Sequence, residues 1–204
     1  MQHKYSTSFI KRWVLLLGVV LTGCGLLPAA ETPPAFPIVP AKDLLVPASV
    51  FPPDWEASPC GPDCTRTENR RTAGRVFGLP TVAGNTVQEV YAYSTPDEAR
   101  AKYTTYFKSW FAPPAGARRP LTPPDQYLTP RTIADESAFG CGVEIVPLCV
   151  ALRRYDVHVV AFTFTMRETP QSQGLTLADI APVLNAVEQR IAVSRKNPRP
   201  TTQP

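Results

Sequence analysis

Histidine is nearly missing from this chain, which has two in 204 residues, His3 and His158. A metal centre built from several imidazoles is therefore excluded, and a Ser-His-Asp triad would have to use His158 if His3 is removed with a leader. Charge of one sign is missing too. The formal net charge is +4 with both signs interspersed, so there is no clustered positive face of the kind that releases counterions from nucleic acid. Arg66, Arg70 and Arg71 form a local basic group, but Glu68 lies among them and the stretch reads as a solvated loop. No phosphate-cradling Gly-x-x-x-x-Gly-Lys, dinucleotide fingerprint or calcium loop occurs. The Cys-x-x-Cys spacing of redox sites and zinc knuckles is absent as well, so no cofactor is expected. Ser137 stands in Asp135-Glu136-Ser137-Ala138-Phe139-Gly140, without the Gly-x-Ser-x-Gly turn that exposes a nucleophile. Asp135 and Glu136, read as strand neighbours, point to opposite faces and do not flank one glycosidic bond.

What is present begins at the N-terminus. Lys4, Lys11 and Arg12 precede an apolar run, Trp13 to Leu21, that is too short for the roughly 20 residues of a membrane span and reads as a secretory leader. It ends in Leu21-Thr22-Gly23-Cys24, which resembles the lipobox of bacterial lipoproteins over residues 1 to 24. The resemblance implies a signal peptide over 1–23 and a diacylglycerol on the Cys24 thiol, with a further acyl chain, palmitate among the possibilities, on the new N-terminus. Two or three chains make release from a bilayer negligible. The mature protein is then expected in the bacterial cell envelope, held to a membrane through Cys24 and facing away from the cytoplasm. Gly25 in place of Asp favours the outer membrane in a host that has one. Loss of Lys4, Lys11 and Arg12 leaves 18 basic against 17 acidic residues, so nucleic acid is not an expected partner.

Cys60, Cys64, Cys141 and Cys149 remain, an even number that suits two disulfides in an exported chain. Three connectivities are possible. Cys60 with Cys64, around Gly61-Pro62, and Cys141 with Cys149, across a loop or adjacent strands, are the expected pairs. Chain-entropy arguments stabilise each short loop by about 2 to 3 kcal/mol and do not exclude a crossed pairing. Residues 24–42, with Pro28, Pro33, Pro34, Pro37 and Pro40, read as the lipidated cysteine and a proline-rich stalk. Residues 43–193 form one domain of ordinary size, and 194–204 a polar tail with Pro198, Pro200 and Pro204.

Within the domain, Phe51 and Trp55 are expected as core anchors. Arg75 to Leu79 and Thr86 to Tyr93 alternate as two strands. Thr95-Pro96-Asp97-Glu98 is a helix start with cap and capping box, and Ala99, Tyr103, Tyr106, Phe107 and Trp110 follow as an apolar stripe expected to be buried against a sheet. Residues 112–130 are a long proline-rich loop and the preferred place for a recognition surface. Arg131 to Ala138 is extended, Ile145 to Arg153 and Val157 to Met166 form a hairpin, and a last helix starts near Thr176 or Asp179 with Ile180, Val183, Leu184, Val187 and Ile191 inward. With the helix beginning at Asp179, Pro182 falls in its tolerant first turn. The fold class is α+β: a mostly antiparallel sheet with two main helices packed on it, stapled by two disulfides. That plan is similar to sensor-like extracytoplasmic domains of actinobacterial lipoproteins and receptor kinases. The residues point to a non-catalytic binding or accessory domain whose partner is a protein, an envelope polymer or a small ligand. The alternatives are an extracytoplasmic hydrolase using His158 and a structural cell-envelope protein.

Overall fold

The computed structural model describes residues 39–60, 71–79, 86–124, 132–167, 169 and 174–196. Two 3-10 turns, Ala41–Leu44 and Ala48–Val50, lead into β1 (Glu56–Pro59). β2 (Thr72–Gly78), β3 (Thr86–Ala92) and α1 (Pro96–Phe111) follow, then β4 (Glu136–Val143), β5 (Pro147–Tyr155), β6 (His158–Thr165) and α2 (Leu177–Lys196). The six strands make one antiparallel sheet in the order β1-β2-β3-β6-β5-β4, so the α+β reading holds. The chain climbs from one edge to the centre in β1–β3, crosses through α1 to the far edge, and returns through a β4–β5–β6 meander to pair with β3.

Side-chain alternation gives the sheet two buried faces. Cys149, Ala151, Tyr155, Val160, Phe162 and Phe164 point one way and pack with Ile180, Val183, Leu184, Val187 and Ile191 of α2. The same cluster takes in Leu44, Val46, Phe51 and Trp55 of the entry segment. Phe51 stacks on both Trp55 and Phe77, with ring centroids 5.6 and 4.3 Å apart. On the opposite face Leu152 and Val159 meet Ala99 and Tyr103 of α1, and Leu148 and Val150 meet Trp110, Phe111 and Leu121. The order βββα occurs twice, yet α1 and α2 lie on opposite faces. A two-fold axis normal to the sheet would put both on one face, so the repetition is one of element order and not of symmetry.

The helix starts follow their caps. Thr95 Oγ1 accepts from the Glu98 backbone N–H, and the Glu98 carboxylate reaches back to the N–H of Ser94, one residue earlier than a capping box requires. Asp179 Oδ2 accepts from both the backbone N–H and the hydroxyl of Thr176. α2 therefore begins at Leu177, which corrects the expected position of Pro182: it lies in the second turn, where it removes a bond to the carbonyl of Ala178. The helix then runs through Ser194 to Lys196, three residues past the expected domain end.

The cysteines are settled in part. Cys141 and Cys149 face each other across β4 and β5 and are bonded, which rules out the crossed pairing. Cys60 is itself disulfide-bonded; its expected partner Cys64, like Cys24, lies outside the described residues. Two glycines in β4 admit the chain that follows α1. A Cβ on Gly142 would stand 2.8 Å from Leu121 Cδ2, and one on Gly140 would stand 3.0 Å from Phe111 Cε1. Through that gap Leu121 reaches the sheet and Thr122 bridges Cys141 with two backbone bonds, covering part of the β4 edge.

Candidate functional site

His158 is the residue on which catalysis would depend. It opens β6, opposite Tyr155 on β5 and Ala92 on β3, and its Nε2 lies 2.8 Å from the carbonyl oxygen of Val39. Burial is the main cause that holds its pKa below the ordinary 6.5, against smaller raising contributions from Val39, Asp156 and Tyr155. The imidazole is thus kept neutral and engaged with backbone. Ser137 is on β4, opposite Arg153. All of β5 separates it from β6, and two strand spacings of about 4.8 Å set the pair well beyond hydrogen-bond reach.

Asp135 and Glu136 are brought together, contrary to the opposite-face expectation. Glu136 opens β4 but Asp135 precedes it, so strand alternation does not govern the pair. Both carboxylates reach the buried guanidinium of Arg154, Asp135 at 3.2 Å and Glu136 through Nε. Asp135 also accepts the backbone N–H of Asp156, whose φ of 54° marks the β5–β6 turn. Asp135 thus helps to close the turn, and both carboxylates offset the buried charge of Arg154.

A second buried network joins β5 to α2. Glu188 accepts from Arg153 and from the hydroxyls of Tyr155, at 2.8 Å, and Thr132, at 2.6 Å. Its other oxygen takes the backbone N–H of Ile133 at 2.9 Å. Burial is the chief reason that the Tyr155 phenol is pushed above its usual range. Gln88 on β3 is fully buried; its amide accepts from Val46 N–H and donates to the Leu44 carbonyl. None of these roles was read from sequence. Two arginines inside an apolar strand, and a glutamate beside the apolar stripe of α2, were the available signal, because a buried charge needs a partner.

The α1 stripe is only partly buried, which corrects the expectation. Ala99 and Tyr103 are inside, but Tyr106 and Trp110 are half-buried and Phe107 is exposed. Burial first, then the charge of Glu136, pushes the Tyr103 phenol up to about 12. Next to it the Tyr106 hydroxyl donates to Tyr91, and Tyr91 donates to Glu89 Oε1 at 2.9 Å. Lys102 Nζ stands 4.7 Å from the Tyr106 ring centre and 5.6 Å from that of Tyr91, and Tyr93 stacks beside Tyr91. Burial is the largest of several causes raising the Tyr91 phenol, so it stays protonated and supplies hydrogen bonds instead of a base. Aromatic faces, an ammonium and hydroxyls equip this surface for binding. The expected recognition loop, 112–130, is mostly exposed where it is described: among 112–124 Leu121 alone is buried, and Arg118 lies over the Trp110 ring at 4.2 Å. Residues 125–131 lie outside the described residues.

No protein-family model, no curated protein and no solved structure matches this chain.

Proposed function

We propose that this chain is a lipid-anchored lipoprotein of the bacterial cell envelope whose α+β domain works by binding and not by catalysis. The observation that carries the second half is the environment of His158. Its Nε2 is held on the Val39 carbonyl, and β5 stands between it and Ser137. The half-buried aromatic surface on α1 and β3, with Lys102 and Glu89, is the face suited to a protein, an envelope polymer or a small ligand. The anchor rests on Leu21-Thr22-Gly23-Cys24, and the Cys141–Cys149 bridge suits the oxidising compartment that export implies. A pairing of Cys60 with Cys64 belongs to the same reading.

Two comparisons test it. Cys24→Ser abolishes acyl labelling and moves the protein from the membrane to the soluble fraction; retention with an uncut leader would refute the anchor. Against ester, amide and glycoside substrates, the wild-type chain and His158→Gln are equally inert. Turnover that disappears in a well-folded His158→Gln protein, typically a loss of about 10² to 10⁴-fold for a general base, would refute the binding assignment.

A further inference from the structure

The described residues expose six large hydrophobic side chains, and three of them fall within four positions: Val143, Ile145 and Val146, at 70, 98 and 46% exposure. They form the tip of the β4–β5 hairpin, between Val143 and Pro147. We propose that this tip dips into the anionic bilayer surface to which the chain is tethered, an inference that rests on the lipid-anchor reading.

Four observations select a bilayer as the occupant. The tip is a convex turn, which suits a deformable apolar phase. It is also preorganised: the Cys141–Cys149 bridge ties its base, Thr122 is strapped along Cys141, and Glu144 N–H closes on the Val146 carbonyl. Burying it therefore orders little additional chain. Its one carboxylate, Glu144, is paired with Arg118 at 3.0 Å, so no unpaired negative charge approaches the lipid. Beside the tip the Arg118 guanidinium lies over Trp110, and the next residue in the chain, Arg119, is exposed. An aromatic amphiphile beside an apolar tip whose carboxylate is neutralised, with one further exposed arginine next in the chain, is a combination that favours the headgroup layer of an anionic membrane.

The tether is long enough. Val39 is fastened to His158, level with Tyr155, at the end of β5 remote from the tip. Eight residue steps along β5, at about 3.4 Å each, put Pro147 about 27 Å away. Fifteen steps separate Cys24 from Val39, and a chain of that length reaches at most about 50 Å. A lipid on Cys24 thus leaves the tip free to touch the same bilayer.

The test is hydroxyl-radical footprinting of the full lipidated chain on phosphatidylcholine vesicles containing phosphatidylglycerol, compared with the mature Cys24→Ser chain free in solution. Labelling of Val143, Ile145 and Val146 is expected to fall about fivefold or more, while exposed Val193 on α2 is unchanged. Ile145→Asp, at a site with no packing to lose, is expected to return Val143 and Val146 to their solution rates. Tip labelling at the solution rate on vesicles overturns the proposal. So does protection that survives Ile145→Asp, or that is equal on phosphatidylcholine alone. Acyl labelling of Cys24 in the same sample reports the anchor separately, so a missing lipid and an idle tip give different results.

Discussion

Removing the Glu188 side chain is the most demanding test of how this fold is held together. Arg153 is 3% exposed and Glu188 13%, so the pair is largely desolvated. In Glu188→Ala the guanidinium stays buried, with a long 3.4 Å contact to the Leu184 carbonyl as its remaining described partner. Tyr155, Thr132 and the Ile133 N–H lose their acceptor in the same step. Stranding one member of a buried pair costs about 3 to 5 kcal/mol. The reverse change, Arg153→Met, leaves a carboxylate that still accepts from three donors, and about 2 kcal/mol is expected, near the cost of one lost charge-assisted bond. With a urea slope of about 2 kcal/mol/M, Glu188→Ala lowers the midpoint by about 2 M and Arg153→Met by about 1 M. Urea unfolding of the mature Cys24→Ser chain, followed by far-UV circular dichroism, reads both. Equal midpoints for the two variants, or a Glu188→Ala shift below about 0.5 M at that same slope, would refute the claim that Glu188 gathers these donors.

Two further outcomes follow from the same geometry. Burial lowers the His158 pKa from 6.5, so the folded state binds fewer protons than the unfolded one as pH falls through that value. Stability then declines from pH 7.5 toward 5.5, by at most about 1.4 kcal/mol per pH unit for one group. His158→Gln should flatten that stretch of the urea-midpoint profile; an unchanged slope would show that other groups cause it. The Cys141→Ala/Cys149→Ala double variant should lose about 2.5 kcal/mol for its short loop, read as a fall in thermal midpoint against the bridged protein. A variant as stable as the bridged protein would mean that cross-strand pairing alone fixes this hairpin.

Periodicity made part of this legible. The alternation of Val160, Phe162 and Phe164 and the Thr95-Pro96-Asp97-Glu98 start both correspond to elements in place, because each depends on neighbours in sequence. β4 was read only as an extended stretch ending at Ala138, since Gly140, Cys141 and Gly142 have little strand character of their own. It is a strand because it pairs with β5 along its whole length, and glycine is needed there because Leu121 and Phe111 approach its backbone. The α1 stripe misled for a related reason. Helical spacing names a face but not how much of it the sheet covers, and Phe107, stacked between Tyr103 and Phe111, stays exposed. Arg153, Arg154 and Glu188 stand out in the sequence as charges in apolar surroundings, but their partners do not, because strand pairing and helix docking decide which charges meet.

The polar contacts of the entry segment have a common logic. Gln88 from β3 grips Leu44 and Val46, His158 from β6 grips Val39, and Arg190 from α2 donates to the Asp43 carbonyl at 3.0 Å. All four bonds go to backbone atoms, so they fasten the path of the chain whatever side chains it bears. Leu44, Leu45 and Val46 add apolar burial at the same place. If Cys24 is held in a bilayer, this is where the tether's pull enters the fold, and it is shared among two central strands and a helix instead of an edge. His158 then has a mechanical use, a ring N–H held on the Val39 carbonyl. On that reading, the one imidazole among the described residues is one of the clamps that fasten the entry segment to the sheet.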